Sequence, residues 1–91
     1  EGTSFEVVVG PNPFSSAVPT MYIRSYLDLV SKLSAPIEFR LFNNVGQVVY
    51  SSSIQRDATR LDGLNVAEGV YFYQMVSGER VLATGKVARI R

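Results

Sequence analysis

The chain contains no cysteine and no histidine. Without cysteine it has no disulfide framework, thiol nucleophile or thiolate metal site, and without histidine it lacks the commonest general base and metal ligand. A nucleophile, a base and a group that orients the base cannot be assembled from what remains, so the composition argues against an enzyme. Asp57, Asp62 and Glu68 do not change this, because a chain of 91 residues has little room for the cleft that a catalytic carboxylate pair needs.

A charge excess of one sign is also missing. Nine basic residues stand against eight acidic ones, and seven of the nine are arginines scattered along the chain. Because nucleic-acid binding needs a clustered basic surface, this distribution does not favour a nucleic-acid partner. Asp57, Asp62 and Asn65 lack the dense spacing of oxygen ligands found in a calcium loop. We therefore expect no metal and no other cofactor.

No apolar run approaches the roughly 18 residues of a membrane-spanning helix. Residues 1–4 contain no initiator methionine, and the chain has no basic and apolar leader of the secretory type. We expect a single domain over residues 1–91 that is part of a longer protein, without a membrane span.

The strongest pattern is a β-strand over residues 70–76. Gly69 can adopt a positive φ, and the residues after it are aromatic, β-branched or long, as in a central strand. Ser77 and Gly78 predict a tight reversal, with residues 81–84 as the second arm of a hairpin. Residues 86–91 alternate basic and apolar side chains, which indicates that the last strand runs to the chain end.

The remaining strands are predicted at residues 5–9, 20–27, 37–42, 47–54 and 59–64. Strand alternation places Met21 and Ile23 on one face, and it places Ile37, Phe39 and Leu41 inward. The serines at residues 51–53 are expected on a sheet edge or solvent face, and Leu61 and Leu64 are candidate anchors.

Between the first two of these strands lies the connector (residues 11–14), which two prolines stiffen and Phe14 anchors in the core. Residues 28–35 are expected to form a loop with little helix because Pro36 disfavours a helical Ala35. Residues 43–46 fit a type I turn in which Asn43 bonds its own backbone. Seven short strands without a substantial amphipathic helix predict an all-β antiparallel sandwich.

Five short motifs occur in a fixed order. They are residues 11–14 (PNPF), 42–50 (FNNVGQVVY), 61–64 (LDGL), 69–72 (GVYF) and 85–86 (GK). This ordered set resembles the type A C-terminal sorting domain of the type IX secretion system of Bacteroidetes, over essentially the whole chain. The resemblance implies a seven-stranded immunoglobulin-like fold, a natural C-terminus at Arg91, and use as a non-catalytic export signal recognised at the outer membrane.

The resemblance also implies partners and recognition residues. The partners are the type IX translocon, a sortase-like peptidase that removes the domain, and a covalently linked N-terminal passenger. The passenger passes through the periplasm to the cell surface or the medium. There it is released or joined to an anionic lipopolysaccharide. The recognition residues that it implies are Pro11, Asn12, Pro13, Phe14, Gly69, Tyr71, Gly85, Lys86, Arg89 and Arg91. Gly69 and Tyr71 also have a structural interpretation, as a turn glycine and a tyrosine whose hydroxyl ties a corner of the sandwich. The sequence departs from the family in its longer segment at residues 28–35 and in arginine at positions 89 and 91, where lysine is common.

Three points stay open at the level of the sequence. One alternative is an adhesive or carbohydrate-binding module that displays Tyr22, Tyr26, Tyr50 or Tyr73, and another is a hook-capping-like structural module. For a sorting domain, one hypothesis is that a translocon component adds a strand to the hairpin of residues 70–76 and 81–90. The outward valine and phenylalanine side chains of residues 70–76 fit either an interface or a surface covered by the neighbouring sheet.

Overall fold

A computed structural model describes residues 5–90, which form seven strands and one short helix. The elements are β1 (Glu6–Gly10), β2 (Thr20–Arg24), α1 (Tyr26–Val30), β3 (Ile37–Phe42), β4 (Val48–Ile54), β5 (Ala58–Arg60), β6 (Gly69–Ser77) and β7 (Arg80–Arg89). They build two antiparallel sheets, in the orders β1-β2-β5 and β4-β3-β6-β7. The predicted immunoglobulin-like β-sandwich is confirmed. Within residues 5–90, no helix has the length and apolar character needed to cross a membrane.

Strand alternation places the core as predicted. Ile37, Phe39 and Leu41 of β3 are buried, and so are Met21 and Ile23 of β2. In a strand, every second side chain points to the same face, so these residues meet between the two sheets. Partly buried side chains from the loops and from α1 close the sandwich around them, among them Val18, Val30, Leu33 and Val66.

The predicted central strand is β6, which lies between β3 and β7. It pairs along its whole length with β7, from Gly69 opposite Arg89 to Ser77 opposite Arg80. The reversal occurs at Gly78, whose φ is 61°, and Glu79. The Ser77 hydroxyl donates a hydrogen bond of 2.7 Å to the carbonyl oxygen of Ala35, which ties the segment between α1 and β3 to this hairpin.

The predicted turn between β3 and β4 is confirmed. The Asn43 carboxamide oxygen accepts hydrogen bonds from the backbone N–H groups of Val45 and Gln47, at 3.1 and 2.9 Å. Gly46 closes the turn with a φ of 87°. The serines of β4 lie on a sheet edge, as the sequence suggested, because β4 is the outer strand of its sheet.

Three predicted strand ends were wrong. The last strand, predicted to run to the chain end, is β7, which ends at Arg89. The strand predicted to reach residue 27 ends at Arg24, because Ser25 adopts a φ of 65° and α1 begins at Tyr26. Residues 28–30 belong to this helix, so the segment 28–35 contains little helix, as predicted. The strand predicted over residues 59–64 is β5, which ends at Arg60, because Gly63 has a φ of 83° and residues 61–64 form a turn. Leu61, predicted as an anchor there, is buried.

Candidate recognition site

The connector is held against the last strand by the side chain of Asn12. Its carboxamide nitrogen donates to the carbonyl oxygen of Lys86 at 3.0 Å, and its oxygen accepts from the N–H group of Ala88 at 3.1 Å. An asparagine side chain has the same donor and acceptor groups as a peptide unit. Asn12 therefore pairs with the edge of β7 as a short piece of strand would.

Phe14 extends this pairing with its backbone. Its N–H group donates to the carbonyl oxygen of Ala88 at 2.9 Å, and its carbonyl oxygen accepts from the N–H group of Ile90 at 2.8 Å. These bonds form a parallel bridge opposite Arg89. Together with the two bonds of Asn12 they are called the clip below.

The clip occupies part of an exposed sheet edge. Because β7 is the outer strand of its sheet, its outward N–H and C=O groups would otherwise be free to pair with another chain. The clip satisfies these groups at Lys86, Ala88 and Ile90. Among the described residues, the outer edge of β7 has no such partner at residues 80–85. Strand addition on this hairpin is thus restricted to residues 80–85 unless the clip opens.

The side chain of Phe14 fixes the connector from the inside. It is 1 % exposed and belongs to the hydrophobic core, so its role as an anchor is confirmed. The guanidinium carbon of Arg89 lies 5.9 Å from the centre of its ring, a cation–π distance. One aromatic ring thereby connects the core, the connector and a basic residue of β7.

Gly69 and Tyr71 lie on the other side of β7, directly opposite Arg89 and Val87. The Tyr71 hydroxyl donates to the carbonyl oxygen of Ala67, and the side chain is buried. This is the corner tie that the sequence predicted, and it is typical of immunoglobulin-like sandwiches. Gly69 has a φ of 152°, whereas a Cβ there would meet only ordinary contacts. Glycine is required at this position by the backbone conformation and not by a lack of space for a side chain.

Gly85 is required by space. A Cβ at this position would overlap the Cζ atom of Tyr73, which is directly opposite on β6. The Tyr73 ring cannot easily move away, because it stacks on Phe39 with ring centres 5.6 Å apart. A glycine inside a strand often marks such a close approach. Gly85 therefore has a packing role, whatever its role in recognition.

The structure brings the predicted recognition residues together at one end of the sandwich. The connector, Gly69, Gly85, Lys86 and Arg89 all lie on or beside β7. Pro11, Asn12, Pro13, Gly69 and Lys86 are exposed, whereas Phe14 and Tyr71 are buried. Arg91 lies outside the described residues. Contact of the exposed residues with a receptor stays a prediction.

The tyrosines proposed for glycan binding are largely engaged within the fold. Tyr50 and Tyr73 both contact the ring of Phe39, and Tyr26 packs against the core. The Tyr50 hydroxyl also donates to the carbonyl oxygen of Asp62. Tyr22, which is 54 % exposed, is the most exposed of the four.

Burial also determines the ionisation of two of these tyrosines. It raises the pKa of Tyr73 above 10.0, since the phenolate would lose hydration. Burial is also the largest cause that raises the pKa of Tyr50, while Ser52 opposes it and the Asp62 carboxylate adds to it. Both hydroxyls therefore stay neutral at physiological pH. Within residues 5–90, no group of three acidic side chains converges in a way that could hold a metal ion.

Three apolar residues beside Lys86, exposed in part or largely, were not among the predicted recognition residues. Phe42 on β3 and Phe72 on β6 are direct neighbours on the outer face of the four-stranded sheet, with Val48 and Lys86 on either side. The signal was present, because residues 70–76 are apolar in both phases of the strand alternation. The sequence could not tell whether the second sheet covers this face.

These contacts define a small immunoglobulin-like sandwich whose connector is hydrogen-bonded to its last strand. Residues 9–88 match the protein family described as the secretion system C-terminal sorting domain, and the chain belongs to this family. It is a C-terminal sorting domain of type IX secretion. A search of curated proteins found no match to the chain.

Proposed function

We propose that the folded sandwich is a non-catalytic export signal, recognised at the end formed by the connector and β7. The type IX translocon then directs the covalently linked N-terminal passenger across the outer membrane, to the cell surface or the medium. The observation that supports this proposal is the position of three of the five motifs. Asn12 and Phe14 of the first motif pair with β7, which contains the last motif and lies opposite Gly69 and Tyr71.

The clip gives a reason for recognition of the folded domain. The hydrogen bonds of Asn12 join residues that are 74 and 76 positions apart in the chain. Such contacts require that the intervening chain has folded, because closing so long a loop costs entropy that only the complete sandwich offsets. A receptor that contacts the clip would therefore bind the folded domain and not the unfolded chain.

We further propose that a sortase-like peptidase removes the domain after export. The passenger would then be released or joined to an anionic lipopolysaccharide. Removal distinguishes this function from that of a retained adhesive module, because a domain that has been cut off cannot hold a cell to a surface. The engaged tyrosines, Tyr50 and Tyr73, give no support to a glycan-binding platform.

A fusion experiment tests both steps. The 91 residues are attached to the C-terminus of a reporter that carries a periplasmic leader, in a bacterium that has the type IX system. We expect export of the reporter in this host and retention in the periplasm when the translocon is disabled. Mass spectrometry of the exported reporter should show that the domain has been removed. Export that does not depend on the translocon would contradict the sorting function, and an intact exported fusion would contradict removal.

A further inference from the structure

The outer face of the four-stranded sheet carries a row of three apolar side chains and one lysine that the fold leaves uncovered. This outer row consists of Val48, Phe42, Phe72 and Lys86, which are successive cross-strand neighbours on the four strands. Val48 is 54 % exposed and Phe72 is 45 % exposed. Val70, the next outward residue of β6, is 50 % exposed. Solvent therefore reaches a continuous apolar strip.

The adjacent row on the same face of the sheet is polar, as expected for a surface in contact with water. It consists of Ser51, Arg40, Gln74 and Thr84. The Arg40 guanidinium pairs with the Glu38 carboxylate at 2.8 Å on the same face. A polar outer face is normal for an antiparallel sheet, so apolar residues confined to one end need a separate explanation.

The outer row lies beside the clip, and it ends in a cation. Lys86 contributes its carbonyl oxygen to the clip and its side chain to the outer row. Within residues 5–90, no acidic side chain forms an ion pair with Lys86. A shallow depression of about 370 Å³ lies between Phe72 and Lys86. This arrangement is complementary to an apolar side chain with a carboxylate next to it.

The size of the surface favours a transient partner over a second copy of the chain. About half of the surface of Phe72, Val48 and Val70, together with part of Phe42, amounts to roughly 300 Å². A stable protein interface buries roughly 800 Å² on each partner. The outer row is thus too small to support a dimer by itself, and it suits a contact that must be released when the passenger leaves.

We propose that the outer row is a docking surface for a protein of the export machinery that presents an apolar side chain beside a carboxylate. The apolar side chain packs against Phe72 and Phe42, and the carboxylate pairs with the Lys86 ammonium. This inference rests on the proposed function, and it assigns to the same partner a second contact next to the clip.

The test uses the reporter fusion and two matched double variants. V70T/F72T removes apolar surface from the outer row, and threonine keeps a high β-propensity. V8T/Y22T is the control, because Val8 and Tyr22 are neighbouring exposed side chains on the other sheet, with a similar exposure of 50 % and 54 %. We expect V70T/F72T to lower the rate of export about tenfold and V8T/Y22T to leave it unchanged. Thermal unfolding checks that both purified domains are folded.

Substitutions of Lys86 test the charge, and they remain informative if the double variant unfolds. We expect K86E to lower export about tenfold and K86R to retain most of it. If the unaltered fusion is not exported, the proposed function fails. If it is exported, and V70T/F72T and K86E are exported at the same rate, the docking surface is wrong while the sorting function stands. A dimer of the purified domain that V70T/F72T dissociates would overturn the proposed partner in favour of a second copy.

Discussion

Replacing Phe14 by alanine should lower the free energy of unfolding by about 3–5 kcal/mol. The side chain is 1 % exposed, so the variant leaves a cavity in the core as well as losing buried apolar surface. A domain of this length is stable by roughly 5–14 kcal/mol in total. The loss would therefore remove a large part of the stability, and it would also free the connector from the core.

Denaturant unfolding measures the effect of Phe14→Ala, and hydrogen exchange locates it. The amides of Ala88 and Ile90, which are bonded in the clip, should lose protection beyond the global change. Val45→Ala is the control, because Val45 is 73 % exposed and its truncation should change stability by less than about 0.5 kcal/mol. A loss below about 1 kcal/mol for Phe14→Ala would show that Phe14 is not a core anchor.

Replacing Gly85 by alanine should cost about 1–3 kcal/mol, although alanine is normally the better residue in a strand. The added Cβ would overlap the Tyr73 ring, which is held by its stacking on Phe39. The ring must therefore leave its position, or β6 and β7 must move apart. The expected destabilisation comes from overpacking and not from the backbone.

A double-mutant cycle separates these two causes. Tyr73→Val removes the ring that the added Cβ would meet. Gly85→Ala in the Tyr73→Val background should therefore be neutral or slightly stabilising. The coupling free energy between positions 73 and 85 should then be about 1–3 kcal/mol. An equal cost of Gly85→Ala in both backgrounds would contradict the close approach and would point to a backbone requirement at Gly85.

Local rules predicted much of the fold. The alternation of Ile37, Phe39 and Leu41 predicted β3 and its buried face, and Asn43 predicted the turn that follows. Phe14 was predicted as an anchor because it is the one large apolar residue in a stiff connector. In each case the decisive interaction is burial or a contact within a few residues, which a pattern in the sequence can represent.

The end of β2 was predicted wrongly because it depends on a backbone conformation that the sequence does not indicate. Ser25 adopts a left-handed conformation, which is uncommon outside glycine, asparagine and aspartate. Nothing in the residues around it predicts the end of β2 at Arg24. The early end of β5 could have been predicted from the sequence, because Asp62 and Gly63 are typical turn residues.

The candidate site was predicted as a set of residues and not as a geometry. The sequence does not show that Asn12 would meet Lys86 and Ala88. The topology of the whole sandwich determines which sheet edge a distant loop covers. Likewise, a glycine in a strand indicates a close approach, but only the register shows that Tyr73 is the neighbour of Gly85.

Recognition of the clip in the folded domain is tested by comparing two asparagines. Asn12→Ala and Asn43→Ala each remove two side-chain hydrogen bonds to the backbone, and each should cost about 1–2 kcal/mol. Only Asn12 belongs to the clip. We predict that Asn12→Ala lowers export of the reporter about tenfold, while Asn43→Ala, at similar stability, is exported like the unaltered fusion. Equal export of the two variants would contradict recognition of the clip.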